Sequence, residues 1–219
     1  MIGIAVATKE EWKATLDILN IDEEELIEYP YGEYVITKIF NIEAVLYCSG
    51  YRKVMSAGAA QYIIDKFKIE KMIVMGTCAG INKQYQTLDI LLPTIAVQYD
   101  CTIKEWEPLI KQRFVVMLEE KEENPIVIGT ADRAVVARKD YKELQDNGIT
   151  IADCESAAVA YICKLNNKKC SIIKGISDFP IEEEDSKKNE KQFAIYQANI
   201  PIIMKKIIEQ YLEKEMQSK

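Results

Sequence analysis

Histidine is absent from the 219 residues. That excludes a histidine general base, a Ser-His-Asp or Cys-His nucleophile system, and any His-ligated metal. Acid–base chemistry therefore falls to carboxylates, Lys, Tyr, Cys or water. No CxxC occurs, and the six cysteines (Cys48, Cys78, Cys101, Cys154, Cys163, Cys170) are scattered through mostly apolar segments. Free thiols in a cytoplasmic protein fit this pattern better than disulfides. No Lys/Arg block interrupts the formal charge of −7, so neither a nucleic-acid partner nor an anionic membrane surface is expected. No basic n-region precedes the opening "MIGIAVA", so no signal peptide is expected. No apolar stretch approaches the roughly 18–20 residues of a membrane span.

What is present is an ordinary globular balance, 48% hydrophobic and 29% charged. Neither an internal repeat nor a linker is visible, and the length suits one domain over residues 1–219. Apolar runs predict buried strands at 2–7, 43–50, 71–77, 89–97, 125–131 and 170–177, with an alternating, half-exposed antiparallel strand at 31–40. Helical periodicity falls between them, at 9–19, 53–67, 140–147, 155–165 and 191–216, and "EEEDSKKNEK" (182–191) reads as a loop. Strands alternating with helices predict an α/β sheet covered on both faces. Ligands of such sheets bind at the C-terminal strand ends, which here deliver Thr8 to Glu11, Ser49 to Lys53, Thr77 to Gly80, Asp132 and Arg133, and Ser177 and Asp178.

Each candidate motif has a plain structural reading beside a functional one. "TKEE" (8–11) is a capping box, in which Glu11 caps a helix or serves a site. "GTCAG" (76–80) reads as a tight turn after a strand; it is neither a Walker loop nor GxGxxG. "SGYRKVMSAG" (49–58) sets Arg52 and Lys53 at a helix start, where the dipole prefers anions, so they are either a solvated basic pair or a contact for a polar ligand. "ISDFP" (176–180) makes Asp178 a turn residue or a site acid. "IADCESAAVA" (151–160) puts Glu155 in the first turn of an apolar helix, while Asp153 is expected to face away from it.

Taken in order, "IGIAVATKEEW", "SGYRKVMSAGAA", "MGTCAGI", "LDILLP", "IADCESAAVA" and "IKGISDFP" span about 180 residues. The series resembles the nucleoside phosphorylase/nucleosidase family, and within it the methylthioadenosine/S-adenosylhomocysteine nucleosidase branch. The resemblance implies a three-layer αβα sandwich with a central mixed, partly barrel-like sheet. It implies a cofactor-free N-ribosyl hydrolase acting on a small-molecule purine nucleoside, and a homodimer whose second subunit covers the 5′ end of the site. It would give Glu11 the task of activating water and Asp178 that of protonating the purine at N7, with Ser177 orienting it. Glu155 would hold the ribose hydroxyls. Thr77 and Cys154 would line the ribose pocket, and Tyr51 and Arg52 would meet the substrate from the glycine turn.

That chemistry suits a chain without histidine. An oxocarbenium-like sugar, an acid for the leaving base and a base for water need only carboxylates. Apolar Val74 and Met75 before the "GT" pair, and Glu11 near the nucleophile, favour water over phosphate. Arg52 stands against this, because it replaces a small residue and fits either phosphate or a 5′ substituent. A phosphate-dependent phosphorylase and a nucleoside-binding protein with little turnover are the alternatives. Further departures are Ala134 where a base-stacking aromatic is expected, Leu88 in place of Gly, and Lys174 in place of Arg.

Overall fold

The computed structural model describes residues 1–100, 115–118, 124–133, 138–180 and 186–218. Ala134 and Cys101 lie outside the described residues. In the first half, Ile2–Val6 (β1) leads to Lys9–Leu19 (α1), a short 3-10 turn at Glu23–Glu25, and the strands Ile27–Tyr29 (β2), Gly32–Ile39 (β3) and Ile42–Cys48 (β4). Arg52–Lys66 (α2), Lys71–Gly80 (β5), Ile90–Leu91 (β6) and Ile95–Gln98 (β7) follow. Then come Val115–Met117 (β8), Val127–Thr130 (β9), Arg138–Asp146 (α3), Ile151–Asp153 (β10), Ser156–Leu165 (α4) and Lys169–Asp178 (β11). Ser186–Ile207 (α5) continues through a π-helical turn, Ile208–Leu212, into Glu213–Gln217 (α6).

Among the described residues eleven strands form one mixed sheet. Its order is β2-β3-β4-β1-β5-β10-β9-β7-β8, with β11 paired to β5 and β6. β4, β1, β5 and β11 run parallel side by side. The central strands are apolar on both faces because both faces are covered. Ile4, Val6, Ile73, Met75 and Ile173 pack with α1 and α5 residues such as Trp12, Leu16 and Ile203. Their neighbours Ala5, Met72, Val74 and Ile172 pack with Ala59 and Ile63 of α2 and with Ala157 and Ala160 of α4. The period-two alternation of side chains thus divides one sheet between two cores, which is the expected three-layer arrangement.

Four expectations need correction. "GTCAG" is not a turn: β5 runs to Gly80, because β11 pairs along it as far as Ala79 and β10 takes over at residues 79 and 80. The run 89–97 is two strands, parted at Pro93, which has no N–H for a ladder. Of the expected loop 182–191, residues 186–191 are already in α5, while 181–185 lie outside the described residues. Glu155 precedes α4 rather than sitting in its first turn, with φ −130° and ψ −42°.

The site is assembled by direction of travel. The parallel strands β1, β4, β5 and β11 all end on one edge. β10 enters antiparallel to β5, with Ile151 opposite Gly80 and Ala152 opposite Ala79. The strand ends at Asp153, and residues 154 and 155 leave it at this edge.

α5 lies close over β11 because position 175 is glycine: a methyl group there would run into Ile203. Gly175→Ala is expected to destabilise the fold by about 1–3 kcal/mol through overpacking. Chemical denaturation would show it, and an unchanged midpoint would mean that the contact is soft.

Candidate active site

A cavity of about 420 Å³ opens at that edge. Glu11, Thr77, Ser177 and Asp178 line it from β1's exit, β5 and β11; Cys154 and Glu155 line it from β10's exit; Tyr51 and Arg52 line it from the start of α2. All eight residues singled out in the sequence thus face one space.

Glu11 is 2% exposed. The capping reading holds, and the carboxylate also reaches β5, on different oxygens. Oε2 accepts the Thr8 N–H at 3.1 Å, closing the capping box, while Thr8 Oγ1 accepts the Glu11 N–H. Oε1 accepts both the backbone N–H and the hydroxyl of Thr77, at 2.6 and 2.7 Å. A carboxylate oxygen has two lone pairs. Oε1 is therefore fully used by these bonds, and Oε2 keeps one lone pair for a further donor.

The two acids of "IADCES" divide the labour. Asp153 takes the Ser156 N–H and hydroxyl, the Thr130 hydroxyl at 2.6 Å, and the ammonium of Lys174 at 3.1 Å. It is the helix-end device, yet it also lines the cavity, contrary to the expectation that it faces away. Lys174 is 1% exposed. Burial pulls its proton affinity down, but Asp153, Glu11 and Glu155 more than offset this and hold it above the usual lysine range. Glu155 is less well partnered: its Oε1 accepts the Arg52 N–H at 2.9 Å. Burial, and then the charge of Asp153, push its pKa up to about 7.

Asp178 sits at the other wall. Its Oδ1 accepts from the Ser177 hydroxyl and its Oδ2 accepts from Gln192 Nε2 at 2.6 Å. Burial raises its pKa, and these two donors partly oppose the rise. The Cys154 thiol, pushed up to about 12 chiefly by burial, stays neutral and is no nucleophile at ordinary pH. Lys53 is not in the cavity: its ammonium pairs with Asp100 at 2.6 Å and Asp132 at 3.6 Å. The expectation of a solvated or ligand-contacting Lys53 gives way to this ion pair, which its half-buried position favours.

The motifs did not point to Gln192, Phe193 or Tyr196, which reach the cavity from α5. In the sequence they are part of an amphipathic helix, and only the packing of α5 against β11 brings them over the site. Arg133, noted at a strand end, also lines it.

Residues 1–124, more than half of the chain, match the profile of the Phosphorylase superfamily. The chain belongs to that superfamily. Its relatives there include the 5′-methylthioadenosine/S-adenosylhomocysteine nucleosidase of Buchnera aphidicola subsp. Baizongia pistaciae, 25% identical over 170 residues that cover 66% of each chain. The aminodeoxyfutalosine nucleosidase of Helicobacter pylori strain J99 is 26% identical over 199 residues, covering 81% of this chain and 85% of its own. In fold, the chain superposes on the futalosine hydrolase of Helicobacter pylori strain 26695 with a TM-score of 0.80 at 20% identity, covering 98% and 97% of the two chains. At that identity the likeness speaks for the fold alone.

Burial places an electrostatic load on Glu155. Its folded pKa of about 7 lies above the 4.5 of a free side chain. The folded state therefore binds the extra proton between those values, and stability falls as pH rises through that window. Glu155→Gln is expected to flatten this dependence and to add on the order of 1–3 kcal/mol above pH 7. Denaturant midpoints from pH 4 to 8 would check it; identical pH profiles for both proteins would contradict it.

Proposed function

We propose that this protein hydrolyses the N-glycosidic bond of a purine nucleoside without phosphate or cofactor. The observation that carries this is the convergence of Glu11, Glu155 and Asp178, from three distant parts of the chain, on one cavity. The nucleosidase names of its relatives support the same class of reaction. A 5′-modified adenosine is the substrate, of the kind those names describe, with adenine as the released base.

In this reading Glu11 uses the remaining lone pair of Oε2 to take a proton from water. The water oxygen bonds to C1′ as the C1′–N9 bond breaks. The bonding electrons pass to the purine, which Asp178 neutralises by giving a proton to N7. A raised pKa keeps Asp178 protonated further up the pH scale, as a general acid near neutrality requires. Glu155 accepts hydrogen bonds from the ribose hydroxyls and, once ionised, faces the developing positive charge. The cavity's acids oppose a phosphate dianion, and Lys53, a cation phosphorolysis would recruit, is occupied by Asp100 and Asp132. Exposed Tyr51, Val54 and Met55 at the start of α2, beside the cavity, support a homodimer that extends the site.

Incubation with methylthioadenosine or S-adenosylhomocysteine is expected to release adenine at a rate that phosphate does not change; strict phosphate dependence would replace hydrolysis with phosphorolysis. Glu11→Gln and Asp178→Asn are each expected to lower kcat by about 10²–10⁴-fold with the fold retained by circular dichroism. Substantial turnover by either variant would remove that residue from its role.

Gln192 supplies a pH test of the acid. Its Nε2 bond favours the ionised form of Asp178. Gln192→Met should therefore raise the Asp178 pKa further and move the alkaline limb of the kcat profile to higher pH. If Gln192 merely packs, kcat would fall without movement of the limb.

A further inference from the structure

The open lone pair on Glu11 Oε2 gives an attacking water one partner. A water held by a single hydrogen bond turns freely about it, and few of its orientations aim a lone pair at the sugar. A second partner fixes the direction of attack, and α5 brings one polar side chain to the right place.

Tyr196 lines the cavity together with Thr8, Glu11 and Thr77. Its ring is half-buried, packs against the core that α1 and α5 share, and pairs with Phe193 at 5.8 Å between ring centres. Phenylalanine would meet those apolar contacts equally well. What tyrosine adds is a hydroxyl, and it faces the side chains of Thr8 and Thr77 and the charge of Glu11. Those two threonines are the residues that grip the carboxylate: Thr8 through its N–H on Oε2, Thr77 through its hydroxyl on Oε1. The polar tips of α5 fit one stripe, with Gln192 donating to Asp178 and Asn199 donating to the Ser177 carbonyl at 2.7 Å. Tyr196 stands between them on the same stripe but addresses Glu11. Four residues of helix, a rise of about 6 Å, thus separate the side chain that holds the acid from the one beside the base.

The direction of the hydrogens follows from the bonds already made. Thr77 gives its hydroxyl hydrogen to Glu11 Oε1, so toward Tyr196 it can only accept, and the tyrosine is the donor. Burial, and then the charge of Glu11, raise the Tyr196 pKa, so the phenol keeps that proton. Its oxygen then has lone pairs to offer. On the hydrolase reading, which this inference rests on, we infer that Tyr196 holds the attacking water jointly with Glu11. The water gives one hydrogen to Glu11 Oε2 and the other to the tyrosine oxygen, which turns a lone pair toward C1′. As the bond from water to C1′ forms, the first hydrogen passes to Glu11 as a proton and the C1′–N9 electrons leave with the base. The second hydrogen stays on the new sugar hydroxyl, and Tyr196 keeps its own proton throughout.

Tyr196→Phe keeps the ring and removes the oxygen. Its kcat for adenine release from methylthioadenosine is expected to fall about tenfold. Its calorimetric affinity for an uncleavable 9-deazaadenine C-nucleoside should match that of the wild type. Dilute methanol supplies a reading that mere packing would not move. Methanol has a hydrogen for Glu11 and none for Tyr196, so the wild type should discriminate against it. In Tyr196→Phe that discrimination is expected to weaken, and the ratio of methyl glycoside to free sugar should rise severalfold. An unchanged kcat overturns the inference, as does a loss of kcat matched by loss of affinity or accompanied by an unchanged product ratio. Base release that requires phosphate overturns it too, since no water then attacks. A wild type that releases no adenine sinks the hydrolase reading and this inference together. An active wild type with an indifferent Tyr196→Phe sinks only the inference.

Discussion

The bond pair from Thr77 to Glu11 Oε1 is the contact on which the site depends. A carboxylate 2% exposed is tolerable only when hydrogen bonds replace the water it has lost. Those bonds tie the first turn of α1 to the middle of the sheet. They also dictate the residue before Thr77. Gly76 has φ +155°, and a Cβ there would lie 2.8 Å from Glu11 Oε1. Strand, helix cap and carboxylate are thus one interlocked unit, and the single lone pair left on Oε2 defines where a further donor can sit.

Around that unit the other acids are held at different levels of compensation. Asp153 has a buried ammonium and four further donors, the Glu155 and Ser156 N–H groups and the Thr130 and Ser156 hydroxyls. It fixes the start of α4 and the end of β9 at the expense of being chemically quiet. Glu155 has one backbone N–H and a pKa of about 7. Asp178 lies between, raised by burial and restrained by Ser177 and Gln192. Carboxylates of one chemical type are therefore separated by environment, and a protein without histidine obtains groups with different proton affinities in one cavity.

Much of the architecture was legible locally. α1 occupies Lys9–Leu19 as its periodicity and capping box predict, and every strand anticipated from an apolar run has a counterpart among the described strands. The errors have common physical causes. "GTCAG" looked like a turn because glycine commonly marks one, whereas here the glycines admit close neighbours, the Glu11 carboxylate at Gly76 and the Phe179 ring at Gly80. The strand at 27–29 is three residues long, too short to carry a period of two. Asp153 would face away from Glu155 only in a chain extended through residue 155, but the chain leaves β10 at Asp153, and both acids meet the cavity.

By itself the sequence determined the helix and strand alternation, the need for histidine-free chemistry, and the strand-end positions of Glu11 and Asp178, because these follow from local periodicity, composition and capping. Only the tertiary structure decided which oxygen of Glu11 remains open, that Lys53 is spent on Asp100 and Asp132, that Lys174 neutralises Asp153, and that Gln192 holds Asp178. These depend on distances between residues far apart in the chain. The hydrophobic packing of α5 on β11 and the antiparallel entry of β10 set those distances, and no short stretch of residues encodes either.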